Sequence, residues 1–190
     1  MKRSSIAVAL ATGFLLAVFP ASPLLAADTP EQQRAQAKKE VPGAIAAFKK
    51  ADPGIDKFFS QSAGYVVFPK VGKVGLVIGG GHGIGEVFEG GKSIGTATMS
   101  FGTVGLQAGI QDFSEIIFFQ NAATLDRFKQ GKFEFTANAS AVILKMGASA
   151  SANYRDGAVV FTRASGGAMG EAAVGGQKFK FTPEGMAARK

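Results

Sequence analysis

The stretch from Val77 to Ser93 reads VIGGGHGIGEVFEGGKS, and seven of its seventeen residues are glycine. A run of this kind either cradles a phosphate or lets strands bend and approach one another closely. The spacing decides between them. A dinucleotide fingerprint needs glycine at the first, third and sixth positions of a six-residue window. Starting from Gly79, Gly81 or Gly83, the sixth position holds Ile84, Glu86 or Phe88. For a P-loop, Gly91-Lys92-Ser93 would need a glycine at 86, and Gly85 is one residue too early. A strand-like run follows Ser93, where a phosphate loop requires a helix N-terminus. The glycines are therefore read as backbone freedom: positive φ, bulges and close strand contact. The expected form is a strand, a glycine-rich bend and a return strand ending near Glu89-Gly90-Gly91-Lys92.

The chemistry-bearing residues are sparse. His82 is the sole histidine and there is no cysteine, so no familiar zinc ligand set can form. A Ser-His-Asp triad would have to use His82, and Gly-x-Ser-x-Gly does not occur. Glu86 with Glu89, and Asp112 with Glu115, read as solvated acids. Asn138-Ala139-Ser140 matches a glycosylation acceptor, a pattern common by chance. No catalytic residue, metal site or cofactor is expected. Lysine and arginine outnumber acids 21 to 14, for a formal charge of +7. The cations are scattered, with no arginine-rich tract and no alternation with aromatics, which argues against a nucleic-acid partner. Mild basicity fits anionic lipid or polysaccharide surfaces. Most of the 17 phenylalanines must form core.

The chain divides by composition. Residues 1–26 have a basic start, an apolar run from Ile6 to Phe19 and small residues at Ala26 and Ala27, the layout of a secretory signal peptide. An exported protein, in the periplasm or cell envelope, is expected. Residues 27–62 are rich in Ala, Lys, Glu and Gln. Thr29 can cap a helix with Pro30 at its first position. Pro42 should end or kink that helix near Val41. Val41, Ala44, Ile45 and Phe48 share one face, and a short further turn carries Ile55, Phe58 and Phe59.

Residues 63–182 form a β core. Strands are expected at 65–68 (ended by Pro69), 74–78, within 94–110, at 113–119, across 146–154, at 158–162, and near 169–174 and 177–182. The alternation at 146–154 is the clearest. A change of phase between Ala141 and Met146 calls for a bulge or bend. Arg155-Asp156-Gly157 reads as a tight turn. One internal helix is expected at about 122–130, between Asn121 as N-cap and Gly131. Residues 183–190 look like a frayed tail. The fold class is α+β and β-rich: a strongly twisted antiparallel sheet, open or barrel-like, with the helices packed on it.

Several runs then fall in a familiar order. Ala63-Gly64-Tyr65-Val66-Val67-Phe68-Pro69-Lys70-Val71-Gly72-Lys73 leads to Gly75-Leu76-Val77-Ile78-Gly79-Gly80-Gly81. Ser100-Phe101-Gly102, Gly105-Leu106-Gln107-Ala108-Gly109 and Phe113 to Phe119 before Asn121-Ala122-Ala123-Thr124-Leu125 complete the series. This order resembles the SYLF domain family over about residues 31–181. The resemblance implies a non-enzymatic lipid-binding module of the short, exported bacterial type. Eukaryotic members recognise phosphoinositide membranes, and some bind actin. Actin binding is not expected for an exported chain.

The family's membrane-binding N-terminal helix corresponds to residues within 31–50. Lys38, Lys39, Lys49 and Lys50 are the expected headgroup contacts, and Phe58 and Phe59 would insert or line an acyl groove. The partner is then anionic phospholipid or a membrane surface. The competing reading is a structural envelope protein without a lipid ligand, self-associating through exposed strand edges such as 113–119.

Overall fold

The computed structural model describes residues 28–75, 78–104, 111–135, 141–164 and 176–185. The signal-peptide segment, most of the expected tail, the expected strand at 169–174 and the 136–140 phase argument lie outside them.

Helix α1 runs without a break from Pro30 to Ala51. Thr29 caps it as the sequence suggests: its hydroxyl accepts from the Gln32 amide, and the Gln32 side chain accepts from the Thr29 amide at 2.8 Å. Pro42 does not end the helix. Its ring lies on the exposed side, next to exposed Gly43, so the Lys38 carbonyl that loses its amide partner can bond water instead. Ala37, Val41 and Phe48 are buried on the opposite side. A 3₁₀ turn at Pro53–Ile55 leads into α2, Asp56–Gln61.

Seven strands follow among the described residues: β1 Gly64–Gly75, β2 Ile78–Glu89, β3 Lys92–Val104, β4 Gln111–Phe119, β5 Val142–Ile143, β6 Ala158–Ala164 and β7 Lys178–Pro183. Helix α3, Ala122–Lys129, lies between β4 and β5. It has the expected Asn121 cap, and Gly131 follows it at φ +69°. The sheet order is β5-β6-β4-β1-β2-β3-β7. It is a mixed sheet, because β5 pairs parallel with β6 while the other pairings are antiparallel. It is open rather than barrel-like, with β5 and β7 at its edges.

Three local expectations are corrected. Pro69 does not end β1. The register shifts on both sides of the strand between Val67 or Phe68 and Val71, so the proline sits in a bulge and its missing amide costs no ladder bond. The residues 146–154 are not a strand. Gly147 takes φ +80° and Ala148–Ala150 form a 3₁₀ turn. The alternation there was among small residues, and no burial pattern stood behind it. The glycine-rich stretch is not a bend either. Residues 78–89 are one continuous strand, and the tight turn comes only at Gly90 and Gly91, both at positive φ.

Within β2 the glycines serve close packing. Gly81 lies under the Phe101 ring, and a Cβ there would collide with it. A Cβ at Gly85 would come within 2.7 Å of the Phe68 ring. Glycine on this side of β2 makes room for rings from neighbouring strands.

The sheet is covered on both sides. On one, Val41, Phe48, Ile55 and Phe58 pack on Val67, Ile116, Phe118, Val159 and Phe161. On the other, Leu125 and Phe128 of α3, with Phe133, pack on Val66, Phe68, Ile117, Phe119, Val160 and Phe179. Two-sided burial explains the nearly continuous apolar run of β4.

Candidate lipid-facing surface

The expected headgroup lysines all lie on α1. Its apolar side is pinned to the sheet, so the helix offers only its outer side to a partner. Lys39 and Lys50 are exposed and have no ion pair among the described residues. Eleven residues apart, they fall on one stripe, separated by about 16 Å along the axis.

The other two lysines are engaged. Lys38 Nζ lies 2.6 Å from Glu184 Oε1 and 3.9 Å from Glu86 Oε1, which ties the helix to the sheet and to the residue after β7. Lys49 Nζ lies 2.6 Å from Asp56 Oδ1 and 4.8 Å above the Phe59 ring.

The two phenylalanines separate. Phe58 is only 4 % exposed and meets Phe118, Tyr154 and Phe161 at centroid distances of 5.6, 5.7 and 5.1 Å. Its ring belongs to the core, so the expectation that it would insert into lipid gives way to a packing role. Phe59 is half-buried, edge-on to Tyr65 at 5.0 Å and to Phe118 at 4.9 Å. Neither ring lines an acyl groove in the described residues. A cleft of about 190 Å³ lies instead between Arg34, Ala35 and Lys38 of α1 and Thr96, Thr182 and Pro183. A second, of about 140 Å³, is lined by Val142, Ala152, Arg155 and Val160.

Two acids do structural work that the sequence did not announce. Asp52, which follows α1, is buried. Its carboxylate accepts from the Ser149 amide at 2.7 Å and from the Gly54 amide at 3.1 Å. The Ser149 amide is the main reason its carboxyl is held below the ordinary range. Asp52 thereby pins the 148–150 turn to the end of α1.

Glu115 was read as a solvated acid. It is fully buried in the interior strand β4. Burial pushes its carboxyl up to about 8, against a hydrogen bond from Gln177 that pulls the other way. That bond, Gln177 Nε2 to Glu115 Oε2, is 3.2 Å long. Glu115 Oε1, Gln177 Oε1 and the hydroxyl of Thr162, the residue directly opposite on β6, have no partner among the described residues. A neutral carboxyl has one proton to donate, and Gln177 Oε1 is an acceptor in want of one.

His82 is exposed on β2. No cluster of three metal-ligating side chains occurs among the described residues.

A family model described as Ysc84, Las17-binding protein actin regulator, matches residues 100–185. That match is consistent with a SYLF domain. No curated protein matches the chain. SYLF domains are binding modules, and members bind lipids and, in some cases, actin.

The sheet extends beyond the matched residues. The matched stretch supplies β4 to β7 and the end of β3. In the sheet these fall into two groups, β5-β6-β4 and β3-β7, with β1 and β2 between them. The matched residues cannot close a sheet without β1 and β2, so the motifs from Ala63 to Gly81 belong to the same folding unit. The 113–119 run is the third strand from one edge, paired on both sides by β1 and β6. It offers no free edge for self-association.

Proposed function

We propose that this protein is a non-enzymatic, peripheral phospholipid-binding module of the cell envelope, whose partner is an anionic membrane surface. The observation that carries the reading is the outer stripe of α1. Lys39 and Lys50 stand free on a helix whose apolar side is already committed to the sheet. Lys38, Lys49 and Phe59 flank that stripe, and the Lys49 contacts order the helix end.

A helix placed this way cannot lie with its apolar side in the interface, as a free amphipathic helix does. Attraction is therefore electrostatic and shallow. Each lysine near an anionic surface is worth about 1 kcal/mol and is screened by salt. No helix among the described residues is long and apolar enough to cross a membrane. Export, and with it the absence of an actin partner, rests on the signal-peptide layout of residues 1–26.

Co-sedimentation with vesicles tests the proposal. Vesicles containing phosphatidylglycerol are expected to pellet the protein at low salt, and pure phosphatidylcholine vesicles to leave it in solution. Equal pelleting by both would sink it.

A further inference from the structure

Strands β2 and β3 are long, 12 and 13 residues, and α1 crosses only one part of them. The crossing is marked by Lys38, which reaches Glu86 of β2. Glu86 stands opposite Thr96, and Thr96 opposite Thr182. Four residues along β2 the same side of the sheet has a different character. His82 stands opposite Ser100, and Ser100 opposite Lys178 of β7. One row nearer the helix, Ile84, Thr98 and Lys180 are aligned in the same way.

Residues directly opposite share a face, so these side chains form a shelf three strands wide, about 10 Å across. His82, Ser100, Lys178 and Lys180 are all exposed. Neither lysine has an ion pair among the described residues. The nearest acid along the row is Asp112, across Gly72, and it is held by Lys70 at 3.0 Å. The opposite face of these strands is core, carrying Met99 and Phe179 with Phe101 packed against them. The small polar surface is therefore confined to the side that bears α1.

We propose that this shelf of His82, Ser100, Lys178 and Lys180 is the part of the protein that seats on the phosphate layer of an anionic bilayer. The inference rests on the lipid-binding reading above and moves its principal contact from α1 to the β3–β7 edge. An exposed polar sheet surface three strands wide can lie against a headgroup layer. Two unneutralised lysines supply charge complementarity. The Ser100 hydroxyl and the His82 ring supply hydrogen bonds to phosphate oxygens between them.

Lysines on an edge strand also guard against pairing with another chain, so the test must separate the two roles. It compares the full chain with Lys178→Gln/Lys180→Gln and Lys39→Gln/Lys50→Gln in vesicle co-sedimentation, with light scattering of each protein. Phosphatidylglycerol vesicles are used, with phosphatidylcholine as reference. All four lysines are exposed, so both variants should fold, which far-ultraviolet circular dichroism checks. The β7 pair is expected to weaken partition about thirtyfold, from about 1 kcal/mol per lysine, and the α1 pair by less. Ser100→Ala should weaken it a further few-fold.

Unchanged partition of the β7 pair beside a wild type that prefers anionic vesicles would overturn the shelf and leave the lipid reading standing. A wild type without that preference would overturn both. Dimers or larger species of the β7 variant, with vesicle binding intact, would assign the lysines to edge protection and overturn the shelf.

Discussion

Replacing Glu115 by glutamine should make the protein insensitive to a pH change that weakens the wild type. The folded protein holds this carboxyl up at about 8, whereas its ordinary value is 4.5. The sign follows from proton binding. Between those values the unfolded chain releases the proton and the folded chain keeps it, so stability falls as pH rises. The stabilisation is complete below the ordinary value and is lost as pH passes through the folded one. At 1.36 kcal/mol per pH unit, raising pH from about 5 to about 8 removes about 3 to 4 kcal/mol.

Glutamine has the shape of the neutral acid and carries no titrating proton. Its amide, like a protonated carboxyl, is a donor, and its oxygen can still accept from Gln177 Nε2. Urea denaturation of both proteins at the two pH values measures the effect. The midpoint of Glu115→Gln should move much less than that of the wild type, and the variant should be the more stable of the two at the higher pH. Parallel midpoint shifts in the two proteins would refute the reasoning, because Glu115 would then be ionised or hydrated in the folded state.

Asp52→Ala should cost about 2 kcal/mol, read as a lower urea midpoint, because it leaves the Ser149 and Gly54 amides without their acceptor. Since the folded carboxyl of Asp52 is held low, its contribution is present above the ordinary value of 3.8 and fades as pH falls through the folded one. Gly81→Ala should destabilise by about 1 to 3 kcal/mol, and Phe101→Ala in the same chain should recover part of the loss, since the clash is between those two residues. Pro42→Ala should raise thermal stability by about 1 to 3 kcal/mol, by restoring an interior helix bond and removing a ring clash. No gain there would mean that the sheet requires a bend in α1.

Much of the fold was legible because it rests on local rules. The Thr29 and Asn121 caps, the Gly131 stop, the Gly90-Gly91 turn and the apolar run of β4 each state their structure within a few residues. Asp156 and Gly157, both at positive φ, make the tight turn expected before β6. What was not legible depended on partners distant in sequence. Pro69 looked like a strand end because a bulge is a property of two paired strands. Residues 146–154 looked like a strand because alternation of small residues imitates alternation of burial. Pro42 looked like a helix end because the sequence does not say which side of the helix faces water.

The same holds for the surface. Lys38 and Lys49 look as free as Lys39 and Lys50 until Glu184 and Asp56 are seen beside them. Phe58 and Phe59 are adjacent, yet one is core and the other is half-buried. Glu115 reads as an ordinary acid beside a hydrophobic strand until both faces of the sheet are found covered. The Lys178-Phe179-Lys180-Phe181 alternation was the available signal for the β7 surface, and its meaning depended on knowing that β7 is an edge.

The most direct test of the central claim is a salt titration of vesicle partition by the full chain. If the protein is held on an anionic bilayer by free lysines, partition onto phosphatidylglycerol vesicles should fall steadily as salt rises, and should be near that on phosphatidylcholine at about 1 M, where the screening length is about 3 Å. Partition that is indifferent to both salt and headgroup charge would contradict the account.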